Sequence, residues 1–155
     1  GQEGNLGGYP IRALRTHDFL YIRNYEPGRW PSGTPDWQEA ALPGAWLADC
    51  DNGPTKTYIV ENKDKDDAHR RFFQLSFGRR PAEELFDLKQ DPDQLSNIAQ
   101  NNDAAEILSR MGDQLTAELL ASGDPRHDSS EAFDFDAVPY LGGVPTHPDF
   151  ERGGE

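Results

Sequence analysis

YPIRALRTHDFLYIRNY, Tyr9 to Tyr25, is the stretch on which the fold turns. Two runs rich in β-branched, aromatic and aliphatic residues flank Thr16-His17-Asp18, which is the composition of a β-hairpin. In the second run Phe19, Tyr21, Arg23 and Tyr25 alternate with Leu20, Ile22 and Asn24. That two-residue period gives the strand one face for a core and one amphipathic face. His17 falls in the turn, where solvation or capping is its ordinary role. Working outward, EELFDL (Glu83 to Leu88), bounded by Pro81 and Asp91-Pro92, reads as a further strand returning to the hairpin.

Beyond it, DPDQLSNIA (Asp91 to Ala99) is turn chemistry with Ile98 as an apolar anchor, leading into a helix from about Asp103 to Ser122. Asp103 with Glu106 has the spacing of a capping box, and Gly123 is a C-terminal stop. Ile107, Leu108, Met111, Leu115 and Leu119 form its apolar stripe. At roughly 25 cal/mol per Å² of apolar surface removed from water, the stripe contributes several kcal/mol where it covers the sheet. Gly112 costs up to about 1 kcal/mol relative to Ala inside a helix. The class expected is α/β, in its α+β form: a small antiparallel sheet covered by a long C-terminal helix.

Between hairpin and third strand the pattern breaks. Residues 26–54 hold prolines at 27, 31, 35, 43 and 54, which forbid long regular elements, and all three tryptophans, Trp30, Trp37 and Trp46. An indole offers a broad apolar face with one donor, so these residues either stack on sugar rings or staple the loop to the protein; the staple is preferred. Pro54 suits the first turn of a helix, while Thr57, Ile59 and Val60 equally suit a strand, and both readings stay open. Asp66 to Phe77 reads as a helix with Ala68, Phe72 and Leu75 on one face and Gly78 as its stop. Residues 1–126 are thus expected to form one subdomain containing the 26–54 loop. Residues 127–155, acidic and rich in Pro and Gly, read as an adherent tail anchored by Phe133, Phe135, Tyr140, Leu141 and Phe150. The opening GQEGNLGG has a loop composition and reads as mid-gene sequence.

Across 155 residues, 28 acidic side chains against 15 Lys and Arg leave a net charge of -13, and mean hydropathy is -0.83. Nucleic acid and anionic membranes are excluded as partners, because both are bound through Lys and Arg that displace counterions. An anionic ligand would need a local basic cluster: Arg12, Arg15 and Arg23, or Arg70, Arg71, Arg79 and Arg80. Solvated or ion-paired arginine is the ordinary reading of both. One cysteine, Cys50, excludes an internal disulfide and a multi-cysteine zinc site. No run approaches the roughly 20 apolar residues of a membrane span. No phosphate loop, GxSxG elbow or HExxH is present. Asp49 with Asp51 and Glu83 with Glu84 are spacings that arise by chance in so acidic a chain, and His127 and His147 are too distant in sequence for a local metal motif.

Three blocks in order carry a family resemblance: YPIRALRTHDFLYIRNYEPGRWP (Tyr9 to Pro31), FGRRPAEELFDLKQDPDQLSNIA (Phe77 to Ala99), and the helix ending in SGDPR (Ser122 to Arg126). Together they resemble the tail of type I sulfatases. YPIRALRT, FLYIRNYEP and GPTK (Gly53 to Lys56) resemble the N-sulfoglucosamine sulfohydrolase, or heparan sulfamidase, branch in particular. The resemblance implies the C-terminal subdomain of an alkaline-phosphatase-like enzyme acting on sulfated saccharides, in a periplasmic, secreted or lysosomal-type compartment, with the catalytic domain upstream as partner. It implies for the complete parent a formylglycine made from the first residue of a C/S-x-P-x-R motif, and a calcium ion. Here Cys50 is followed by Asp51-Asn52-Gly53-Pro54, so the motif is absent and no catalytic residue is carried over. No cofactor is expected in this chain. Lys56, Arg79 and Arg80 are the substrate-binding candidates, on positive charge beside the matching motifs. The alternatives are a stand-alone carbohydrate-binding or interaction module built on the tryptophan loop, and a fragment of a related phosphodiesterase or phosphonate hydrolase.

Overall fold

The computed structural model of the protein describes residues 9–125 and 143–152. In chain order these hold β1 (Ile11–Arg15), β2 (Phe19–Asn24), α1 (Pro54–Glu61), α2 (Asp67–Phe77), β3 (Glu83–Asp87), α3 (Ala105–Ser122) and a short α4 (Pro148–Arg152). They fall into two compact units: residues 10–27 with 81–125, and residues 28–80 with 143–152.

The first unit is an antiparallel sheet of order β1-β2-β3 with α3 against it. Its hairpin turns where expected. The backbone N–H of Thr16 donates to the Phe19 carbonyl at 2.9 Å, and the Thr16 hydroxyl oxygen accepts from Phe19 N at 3.0 Å. Tyr21 lies between Leu14 on β1 and Leu85 on β3, and both Tyr21 and Leu85 are fully buried. With Met111, Leu115 and Leu119 from successive turns of α3 they make one apolar cluster, and Phe19, Ile107 and Leu108 pack at its margin. The small sheet under a long helix is therefore the observed architecture. Burial, then the hydrogen bond to Glu83, pushes the Tyr21 hydroxyl above its ordinary pKa.

Polar contacts fix how the helix lies on the sheet. Arg23 donates to the Thr116 hydroxyl and to the Gly112 carbonyl, each at 3.0 Å, and Arg12 pairs with Asp124 at 2.7 Å. A Cβ on Gly112 would come within 3.3 Å of the Arg23 guanidinium and 3.4 Å of the Tyr21 hydroxyl oxygen. The glycine that weakens the isolated helix is thus the position where sheet side chains approach its backbone. Along the β3 edge, the Asn97 side chain accepts from Leu85 N at 2.9 Å and donates to the Glu83 carbonyl at 3.2 Å, and Ile98 N donates to the Leu85 carbonyl at 2.9 Å. A side chain thereby supplies part of the ladder that a fourth strand would give.

Two local expectations are corrected here. Asp103 lies inside a 3-10 turn, Asn102–Ala104, and α3 starts after Ala104 with no side-chain cap, so the capping box does not form. The turn itself satisfies the first amide groups. β3 ends at Asp87, one residue early, and Leu88 N donates to the Asp18 carbonyl at 2.8 Å. Gly123 does stop α3 in the left-handed conformation, and Asp124 N closes on the Leu119 carbonyl at 2.9 Å.

In the second unit Pro54 occupies the first turn of α1, so the helix of the two open readings is realised. Asp66 caps α2 by accepting from His69 N. The buried face of α2 is Phe73 and Phe77, whereas Phe72 is 52% exposed, which corrects the expected Ala68-Phe72-Leu75 face. Both series fit a 3.6-residue period and differ only in which side the rest of the unit covers. Trp46, Leu47, Val60, Phe73 and Phe77 form the core, with Trp30, Trp37, Cys50 and Ile59 packed on it, so the tryptophans do staple the irregular loop. Residues 143–152 return to this loop through the Ala45–Thr146 bridge and through His147 N to the Gly44 carbonyl at 2.9 Å. The expected anchors Phe133, Phe135, Tyr140 and Leu141, with His127, Arg126 and the opening GQEGNLGG, lie outside the described residues. No helix among the described residues is long and apolar enough to cross a membrane.

Candidate functional site

All three cationic candidates belong to the unit of residues 28–80 and 143–152. Lys56, on the first turn of α1, is 3% exposed. Its ammonium donates to the carbonyls of Trp46 and Cys50, each at 2.6 Å, to that of Leu47 at 3.3 Å and to the Asn52 side-chain oxygen at 3.0 Å. It lies 4.7 Å from the centre of the Trp46 ring. Burial pushes its pKa below the ordinary lysine value, against the opposing pull of Cys50 and Asp51. The carbonyls converge because the 46–50 segment is wound tightly: Leu47 has φ +45°, and Cys50 N closes on the Leu47 carbonyl at 2.9 Å. An ammonium with three donors matches such a cage as a planar guanidinium would not.

Arg79 and Arg80 follow α2 directly. The exposed Arg79 stacks its guanidinium 4.6 Å from the centre of the Trp30 ring. Trp30 in turn meets Phe73 edge-on at 6.3 Å. The half-buried Arg80 donates to the Leu75 carbonyl at 2.8 Å, completing one of the carbonyls that a helix end leaves open. The forked N–H groups of a guanidinium are suited to the oxygens of a sulfate or carboxylate. The Trp46 N–H donates to the Pro35 carbonyl at 2.9 Å, and Trp37 stacks on His147 at 5.1 Å with 13° between the planes. One face of the Trp30 indole and one of the Trp37 indole are thus covered within the chain.

One constellation escaped the sequence reading. Tyr58 on α1, His69 on α2 and Asp66 at its cap form a hydrogen-bonded series, 2.9 Å from phenol to imidazole and 2.7 Å from imidazole to carboxylate. The signal available was Asp-x-x-His across a helix start, with a tyrosine eleven positions before the histidine.

No protein-family model matches the chain. Over 114 residues it is 32% identical to the ulvan-active sulfatase of Formosa agariphila, an alignment taking in 74% of this chain and 17% of that protein. This chain is related to sulfatases. It spans about a sixth of the length of that relative, consistent with a subdomain. The match supports the sulfatase relationship and does not distinguish the heparan sulfamidase branch within it.

The family resemblance implies formylglycine and calcium for a complete sulfatase, and the described residues here do not fit either. Cys50 lacks the proline and arginine of the conversion motif. Among the described residues no three His, Cys, Asp or Glu side chains gather as metal ligands. Glu83 accepts the Tyr21 hydroxyl, and Glu84 is buried in the sheet unit. No catalytic step is derived through these groups.

Proposed function

We propose that this chain is the C-terminal subdomain of a sulfatase acting on a sulfated saccharide, with the sulfur-attacking centre supplied by an upstream catalytic domain. The observation supporting this is the 114-residue similarity to a sulfatase. The sheet under a long helix is compatible with it. Arg79 and Arg80 contact the saccharide's sulfate or carboxylate groups from the edge of the cleft. Lys56 contributes by fixing the loop of residues 46–52, since its ammonium is enclosed. The finer assignment, to the heparan sulfamidase branch, rests on YPIRALRT, FLYIRNYEP and GPTK.

The test is steady-state kinetics of a complete enzyme carrying this subdomain, with Arg79 and Arg80 both changed to Ala. Loss of a contact made equally to substrate and transition state raises KM with kcat unchanged. A rise of about tenfold is expected for about 1.4 kcal/mol of lost binding; an unchanged KM removes both arginines from the cleft. Comparing N-sulfated with O-sulfated glucosamine in the same assay decides the branch, and faster turnover of the O-sulfate sinks the sulfamidase assignment.

A further inference from the structure

The Tyr58-His69-Asp66 series takes no part in the function proposed above. Its hydrogen-bond polarity follows from the chemistry of its members. Asp66 Oδ1 accepts the His69 backbone N–H at 2.9 Å as well as the His69 ring at 2.7 Å. Those two bonds, the backbone one first, hold the Asp66 carboxyl below its ordinary pKa, so it is ionised near neutrality and offers only lone pairs. The ring proton of a neutral His69 therefore sits on Nδ1. Its Nε2 carries a lone pair, and the Tyr58 hydroxyl at 2.9 Å must donate to it. Phenol to imidazole to carboxylate is the order nucleophile, base, orienting acceptor that activates an oxygen nucleophile.

Access differs along the series in a useful way. Tyr58 is 51% exposed, while the His69 side chain is only 14% exposed. The imidazole stands between two rings, Tyr58 at 5.7 Å and Phe72 edge-on at 6.1 Å. A small electrophile meets the tyrosine before it meets the base.

We propose that Tyr58 is an activated phenolic nucleophile and a covalent modification site for sulfur(VI) electrophiles with a good leaving group, with His69 as its base and Asp66 as a positioning residue. With a sulfonyl fluoride the Tyr58 oxygen forms a bond to sulfur as the S–F bond breaks. Fluoride departs with the bonding pair, and the phenolic proton passes to His69 Nε2, giving an imidazolium paired with Asp66. No oxidant, metal or second reactant is required. The site is independent of the sulfatase assignment and stands or falls without it.

The experiment treats the 155-residue chain with phenylmethanesulfonyl fluoride at neutral pH and follows each tyrosine by peptide mass spectrometry, with N-acetyltyrosinamide as the unactivated reference. General-base assistance is worth roughly 10²–10⁴-fold, so the Tyr58 adduct is expected to form at least about tenfold faster than the reference. His69→Gln should return Tyr58 to the reference rate while leaving Tyr25 unchanged. Asp66→Asn keeps a good helix cap and removes the charge; labelling should fall with α2 intact by circular dichroism. A Tyr58 rate equal to the reference in the unaltered chain overturns the proposal without any variant, and so does a His69→Gln variant that labels as fast as the parent. Either result leaves the series as a link between two helices.

Discussion

Lys56 is where one side chain determines a loop. Its ammonium donates to three backbone carbonyls and one amide oxygen within a segment that has no periodic structure of its own. Lys56→Met keeps the apolar stem and leaves those acceptors, closed in with a 3%-exposed residue, without their donor. Each unsatisfied buried acceptor costs about 1–3 kcal/mol, and partial relaxation shares the loss. A destabilisation of about 3 kcal/mol is therefore expected by urea denaturation. A Lys56→Arg variant should recover little of it, because a flat fork does not fill the cage. A loss below about 1 kcal/mol for Lys56→Met would mean that water replaces the ammonium. The sequence marked Lys56 by charge beside GPTK, but could not show its burial. The cage depends on the turn at Leu47, with φ +45°, and no residue pattern announces a left-handed leucine.

At the scale of elements, legibility followed periodicity. The hairpin, the third strand and α3 were readable because alternation and helical spacing are set by the same surface they bury. Tyr21, Leu85, Met111, Leu115 and Leu119 all reached the core. What failed was phase and detail: α2 shows two acceptable apolar faces, and packing within its unit chose Phe73 and Phe77 over Phe72. The start of α3 misled because Asp103 is spent in a 3-10 turn. The start of α2 gives a pH prediction. Asp66 titrates below its ordinary value of 3.8 in the folded chain, first through the His69 backbone N–H and then through the His69 ring. A depressed carboxylate stabilises the fold above its unfolded pKa and loses that contribution as pH falls through the lower folded value. Amide-exchange protection at His69 should therefore hold from neutrality to about pH 4 and decline below it. Asp66→Asn should remove most of that decline while keeping the cap; an unchanged pH profile in this variant would show that other groups cause it.

For the whole molecule, the question is how so acidic a chain, similar to part of a sulfatase, meets a polyanion. A net charge of -13 sets up a field that opposes polyanions at long range. That figure already counts every basic side chain, and several of these are committed to contacts within the chain: Arg12 with Asp124, Arg23 on Thr116 and Gly112, Lys56 in its carbonyl cage, Arg79 on Trp30 and Arg80 on the Leu75 carbonyl. The charges of Arg79 and Arg80 act within a Debye length, about 8 Å at physiological ionic strength and about 30 Å at 0.01 M. Lowering the salt extends the reach of the net negative charge over that of any two arginines. A basic polyanion-binding surface behaves in the opposite way, gaining affinity steeply as salt is removed. The 155-residue chain should accordingly pass unretained through a sulfated-polysaccharide resin at both about 0.15 M and about 0.02 M salt. Retention at the lower concentration, lost on changing Arg79 and Arg80 to Ala, would show instead that this chain grips sulfate by itself. Free passage in both buffers is the expected outcome, and it would show that the repulsion of the whole chain outweighs the local pull of its surface arginines at either salt.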